Sequence, residues 1–335
     1  MKTNFWLLAL LPLCLFVRSQ EPPQKPAPFW GRQEAYLADQ TRHTLCLVDS
    51  MLRSDPPSAA APSLVRRAAL MLLDGVLHDT RLDGCEALVH FMERRLDAVE
   101  AGLARPLTEG LEIWKLYNDG FIVRSPRVTI AFDLYRGGPA LIADERMRAL
   151  VGRCDALFLS HNHPDHVDPA VVGMFAAEGK PVFAPTAVLP ADGRVTHLRE
   201  EKIVERRLRV ADAELCVKIL PGHQSELDNN IYAVTMPEGH TVVHTGDQYH
   251  REDLAWLGSV GGQLPPVDVL IVNCWANDLP ATVEGFAPRF VLTGHENELG
   301  HTIDHRESYW TSYLKLEEVR RPGCLMTWGE CFRCR

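Results

Sequence analysis

The sequence predicts an α/β protein: a sandwich of two β-sheets covered by helices, with a helical region before it. Three observations lead there. Apolar residues recur at helical spacing as far as Leu103 and at strand spacing from about Leu111. Many of the later runs are short and joined by hairpin signals, which argues against a doubly wound parallel sheet. Groups able to bind metal recur just beyond the ends of several of those runs.

The 335 residues, 46% hydrophobic and 24% charged, suit one large domain or a domain with an appendage. A net charge of −9 and the lack of a long Lys/Arg run exclude an ordinary nucleic-acid binder, so the expected partner is a small-molecule substrate. Lys2 followed by apolar Phe5 to Val17 has the form of a signal peptide, too short to span a membrane. Cleavage after Val17-Arg18-Ser19 predicts residues 1–19 as the signal, and export to a periplasmic or extracellular space. Leu11-Pro12-Leu13 lacks the small residue that a lipid-modified Cys14 needs, so no lipid anchor is expected. No later run is long enough to span a membrane, so no membrane contact is expected after cleavage.

The elements follow in order. A Pro-rich spacer, Glu21 to Pro28, precedes helices over Gln33–Arg53, Leu64–Leu77 and Gly84–Leu103, with Ser54-Asp55-Pro56-Pro57 breaking the first. These make a helical region over residues 20–108, ahead of a sheet domain over 109–335. Alternation over 112–117, the hairpin turn Asn118-Asp119-Gly120, and strands at 121–124 and 128–132 open the sheet domain. Further strands are expected at 156–160, 181–184, 202–210, 214–220, 231–236, 241–244, 267–272, 290–293 and Leu325–Trp328. Helices are expected at 140–151, 169–178, 253–257 and 309–320. Cys154, Cys216 and Cys274 read as buried free thiols. Cys331-Phe332-Arg333-Cys334 reads as a tail disulfide, because no strand and helix follow it to make a redox motif.

The strongest chemical signal is Ser160-His161-Asn162-His163-Pro164-Asp165-His166, which follows the apolar run 156–159. The spacing H-x-H-x-D-H packs three imidazoles and a carboxylate into six positions. One tetrahedral ion cannot easily use all four with further ligands, whereas two ions about 3.5–4 Å apart can. Pro221-Gly222-His223, Thr245-Gly246-Asp247 and Thr293-Gly294-His295 supply more candidates, each with a Gly suited to a tight turn. His244 is the rival of His223.

The order Asp133, His161/His163/Asp165/His166, His223, Asp247, His295 resembles the metallo-β-lactamase superfamily over residues 111–335. That resemblance implies an αββα four-layer sandwich, a metal site at one edge and two Zn2+ ions. It implies His161, His163 and His223 on one ion, and Asp165, His166 and His295 on the other. Asp247 would bridge them and Asp133 would orient ligands from behind. It further implies a hydrolase in which a metal-bound hydroxide attacks the substrate, with Asp165 orienting that water or moving its proton.

Ser225-Glu226-Leu227-Asp228-Asn229-Asn230 and the run 294–301 are similar to the branch with ascorbate-phosphate lactonases and N-acyl-phosphatidylethanolamine phospholipase D-like proteins. The expected bond is therefore a lactone, ester, amide or phosphodiester. His301 and Arg306 are candidate substrate contacts, with Tyr309 and Trp310 as an aromatic wall and Asn273, Cys274 and Trp275 on the rim. Competing readings on the same scaffold are a mononuclear iron sulfur-dioxygenase, a secreted β-lactamase and a non-catalytic metal-holding module. His163 stands where flavodiiron proteins carry Glu, and the interval between Asp247 and His295 is too short for the second domain of the RNA-processing nucleases.

Overall fold

The switch of hydrophobic period near residue 110 is where helices give way to sheets. The computed structural model describes residues 28–79, 85–138, 141–186, 188–190 and 193–335. The signal-peptide reading of residues 1–19 falls outside them, and no described helix is long and apolar enough to cross a membrane. The described chain divides into two units between Gln40 and Thr41. In the first, Phe29 and Tyr36 meet edge to face at 6.0 Å.

The helices are α1 (Gln33–Ser54), α2 (Leu64–Leu77), α3 (Glu86–Leu103), α4 (Asp144–Val151), α5 (Pro169–Ala177), α6 (Leu254–Leu257), α7 (Leu279–Phe286) and α8 (Tyr309–Glu317). The strands are β1 (Leu111–Lys115), β2 (Phe121–Arg124), β3 (Thr129–Phe132), β4 (Ala156–Phe158), β5 (Val182–Ala184), β6 (Thr196–His197) and β7 (Val204–Val210). They continue as β8 (Ala213–Gln224), β9 (Leu227–Thr235), β10 (Thr241–His244), β11 (Val269–Asn273), β12 (Phe290–Gly294), β13 (Gly323–Cys324) and β14 (Cys331–Cys334). They make two seven-stranded sheets, ordered β14-β1-β2-β3-β4-β5-β6 and β13-β12-β11-β10-β9-β8-β7.

Strand alternation builds two kinds of core. Ile113, Phe121, Ile130, Phe132 and Phe158 point between the sheets, against Val217, Tyr232, Val242, Ile271 and Leu292. Their neighbours Trp114, Ile122, Ala131 and Leu157 point the other way, into a core shared with the helices. Both faces of each sheet are therefore covered, the αββα arrangement.

Helices α2 and α3 join that core and tie down loops beside it. Leu70, Leu73, Leu77, Phe91 and Leu96 are buried in it. Asp74 of α2 accepts the backbone N–H of Tyr309 and of Trp310, both at 2.9 Å, capping α8. It also accepts the amide of Asn297 at 3.0 Å. Arg66 of α2 grips Glu330 through two hydrogen bonds of 2.9 and 2.6 Å.

Three segments depart from the sequence reading. Leu325–Trp328 is not a strand: it crosses from β13 in one sheet to β14 in the other, so its apolar side chains fill both cores while its backbone leaves the ladder. Cys331 and Cys334 are free thiols, not a disulfide. They lie three apart on β14, so Cys331 packs toward the helices and Cys334 between the sheets. The β8–β9 hairpin runs on past Leu220 to a turn at Ser225 (φ 51°), so Pro221, Gly222 and His223 pair in register with Asn230, Asn229 and Asp228. The cross-strand ladder overrides the Pro-Gly turn signal there. Helix α7 and the two-residue strand β6 were not foreseen.

Candidate metal centre

The loop after β4 is fixed from behind by Asp133, which follows β3 with φ at 42°. Its carboxylate accepts the Ser160 N–H at 2.8 Å, the Ser160 hydroxyl at 2.5 Å and His166 Nδ1 at 2.8 Å. Because the Ser160 hydroxyl donates to Asp133, its oxygen is left to accept from His161 Nδ1 at 2.9 Å. Both imidazoles thus commit Nδ1 to the groups behind them and turn Nε2 forward. Those two Nε2 atoms are buried without a hydrogen-bond partner.

Asp247 is delivered by Gly246 (φ 51°), where a Cβ would stand 2.3 Å from Ser160 Cβ. Its Oδ1 accepts from Asn273 Nδ2 at 2.7 Å. Its Oδ2 faces three imidazole nitrogens: His161 Nε2 at 3.6 Å, His166 Nε2 at 3.3 Å and His295 Nε2 at 3.3 Å. Asp165 Oδ2 lies 3.2 Å from His295 Nε2 and 3.5 Å from His166 Nε2. Asn118 donates to that same oxygen at 3.0 Å. Ligands about 2.1 Å from a common ion would stand about 3.4 Å apart, so these separations match the edges a bound ion would need.

Two sets of candidate ligand atoms result: His161, His163 and Asp247, and Asp165, His166 and His295. The residues fit a pair of cations: buried orphan imidazole nitrogens converge on carboxylates, with Asp247 between the sets.

Electrostatics agree. Burial, then the neighbouring His166, pushes His161 down to about 3, so it stays neutral as a ligand must. For His166 and His295 burial works the same way, but the Asp247 and Asp165 charges outweigh it and raise both well above the ordinary range. Burial would raise Asp247, yet the charges of His166 and His295 hold it well below the usual carboxylate range. Negative charge is thus held where cations would sit.

His223 is not brought to this centre. Its Nδ1 lies 3.0 Å from Asp253 Oδ2 and its Nε2 lies 3.3 Å from Arg199 Nη2. The continuous hairpin sets its direction, and Gln248 locks it by accepting the His223 N–H at 2.8 Å. With His250 and Asp253 it forms a separate set outside the pair. His223→Ala is accordingly expected to leave the number of metal ions per chain unchanged by elemental analysis; loss of one ion would restore His223 to the centre.

Arg306 is engaged away from the cavity. Its guanidinium is spent on three backbone carbonyls, His301 at 2.9 Å, Leu77 at 2.8 Å and Leu299 at 2.7 Å. Tyr309 is fully buried and forms no wall of the site. His301 does reach it, its ring stacked 5.5 Å from that of His295. A cavity of about 250 Å3 lies there, lined by Gln224, Ser225, Tyr249, Asn273, Trp275, His301 and His305 beside Asp247 and His295.

Sequence reasoning missed several supports. Asn118 was read only as a turn residue, though its φ of 55° lets its side chain reach Asp165. Glu298 shapes the loop of His301 by accepting the His301 N–H at 3.0 Å and the Tyr117 hydroxyl at 3.1 Å. A buried acid within a ligand-rich loop was the available signal for Glu298.

No protein-family model and no curated protein matches the chain. Solved structures do. Igni18, a metallo hydrolase from the hyperthermophilic archaeon Ignicoccus hospitalis, superposes with a TM-score of 0.52 at 16% identity, over 67% of this chain and 98% of that one. The αββα sandwich of this chain is thus the fold of a metallo hydrolase. CmlA, a diiron β-hydroxylase from Streptomyces venezuelae, shares it at a TM-score of 0.50 and 14% identity, over 69% of this chain. This chain spans 55% of the length of CmlA. At such identities the likeness is one of fold.

Proposed function

We propose that this chain is a metal-dependent hydrolase with two ions, expected to be zinc, that acts on an uncharged lactone, ester or amide. The observation that carries the reading is Asp247 Oδ2, one carboxylate oxygen facing imidazoles of both ligand sets. When bound, the ions would supply Lewis acidity and a water acidic enough to ionise near neutral pH.

The chain's own groups supply the rest. Asn118 holds Asp165 Oδ2 toward His295 and His166, which leaves Oδ1 to take up the proton of the attacking water. Asn273 fixes Asp247 and, through Oδ1, accepts the Trp275 N–H at 2.7 Å, setting one wall of the cavity. Trp275 and Tyr249 offer flat apolar surfaces; His301 and His305 offer hydrogen bonds at the mouth. The described lining contains no Lys or Arg, and Arg306 is committed to carbonyls. No Lys or Arg of the described lining would add to the ions in clamping a phosphate, which favours an uncharged acyl substrate over a phosphodiester. The composition of residues 1–19 supports export, which sequencing of the mature N-terminus would check.

A panel of lactones, aryl esters, amides, phosphodiesters and β-lactams tests the reading on metal-loaded protein. Turnover of uncharged acyl substrates without phosphodiesters is expected. Turnover of phosphodiesters alone would overturn the substrate assignment, and no turnover of any class by protein holding its metal would overturn the hydrolase assignment.

A further inference from the structure

Asp119, in the turn between β1 and β2, is a buried carboxylate with 1% exposure whose two oxygens have no hydrogen-bond partner. It lies within ligand-sharing distance of His166 and Asp247, the three forming a set whose ligand atoms are within 4.8 Å of one another. Room has been made for it. A Cβ at Gly294, the residue before His295, would stand 1.7 Å from Asp119 Oδ1. The Gly of Thr293-Gly294-His295 therefore clears space for this carboxylate as well as shaping a turn.

Among the described residues, the one ion-pair contact of Asp119 is His244, whose Nε2 stands 3.3 Å from Oδ2. His244 is itself buried and stacks on Phe132 at 4.7 Å. Its Nδ1 accepts the Gly246 N–H at 3.2 Å, which leaves Nε2 to donate, to the Asp119 backbone carbonyl at 3.3 Å. His244 thus orients the turn that carries Asp119, and the Asp119 carboxylate oxygens keep no hydrogen-bond donor of their own. The other groups facing Asp119 are His166, committed through Nδ1 to Asp133, and the carboxylates Asp133 and Asp247. A buried carboxylate in such company needs a cation.

We infer that Asp119 is a further ligand of the ion held by Asp165, His166 and His295, with His244 as its orienting partner. The inference rests on the two-ion reading above. That ion then has Asp119, Asp165 and the shared Asp247 as oxygen ligands, with His166 and His295 as nitrogen ligands. The set exceeds the four of a closed tetrahedral site and suits a five- or six-coordinate ion.

Asp119→Asn tests this with Zn2+ as the probe, since it keeps the shape and removes the charge. Apo wild type and variant are titrated against a chromophoric chelator, and melting is followed with and without metal. The variant is expected to bind one ion as wild type does and the other at least about tenfold more weakly. Its apo melting temperature should equal or exceed that of wild type, while the gain on adding zinc shrinks. Two ions bound with wild-type affinity would overturn the inference, as would an apo form destabilised by the same amount as the zinc form, which marks a purely structural role. Wild type that binds no zinc at all would instead overturn the two-ion reading.

Discussion

Asp247→Ala is expected to release metal from both ligand sets and to lower kcat/KM by on the order of 10^3 or more. Its Oδ2 faces His161 of one set and His166 and His295 of the other. Without it, imidazole nitrogens face one another in a buried site, and the first set, His161 and His163, keeps no carboxylate to offset positive charge. Asn273→Ala should be milder, costing about 10–100-fold in metal affinity, because it removes the hydrogen bond to Oδ1 and the one that sets Trp275 but leaves the ligands in place. Elemental analysis beside steady-state kinetics separates the two. An Asp247→Ala protein that keeps both ions would refute the shared-carboxylate geometry.

Arg66→Ala is expected to destabilise the fold by about 3–5 kcal/mol, the cost of stranding a buried charge. Arg66 and Glu330 are 3% and 2% exposed and bonded in bidentate fashion. Arg66 also donates to the Leu325 carbonyl at 2.8 Å, so it joins α2 to the segment that crosses between the sheets. Urea denaturation measures the loss, and a change within about 0.5 kcal/mol, as at an ordinary surface site, would contradict this account.

The same pair predicts a pH dependence. Burial would raise Glu330, but the Arg66 charge and hydrogen bonds outweigh it and hold the carboxyl below its usual 4.5. A depressed carboxylate contributes stability that is present above its unfolded value and lost as pH falls through its folded value. The acid limb of the wild-type stability curve should therefore be partly absent in Arg66→Ala.

The fold was legible because its strands obey period two while its N-terminal helices do not, and because Asp133, the H-x-H-x-D-H loop, Asp247 and His295 each follow a strand. Six of the seven ligand positions expected from the sequence converge. His223 does not, for a reason outside its own neighbourhood: β8 and β9 continue pairing beyond Pro221-Gly222, and Asp253 and Arg199 capture the ring. A strand's length is fixed by its partner, which local turn signals do not report. Arg306 misled similarly, since a lone Arg in a ligand-rich segment reads as an anion clamp until its carbonyl partners are known. Asp119 was hidden by an equally good local explanation, a hairpin turn. The role of α2 was also invisible in sequence: Asp74 caps α8 and holds Asn297, two residues beyond His295.

The central claim is that two sets of ligands share Asp247 and hold two ions. Native mass spectrometry with elemental analysis of protein purified without added metal, then titrated with Zn2+, tests it most directly. The account predicts saturation at two ions per chain, both lost in Asp247→Ala. Saturation of wild type at one ion, or none, would contradict it.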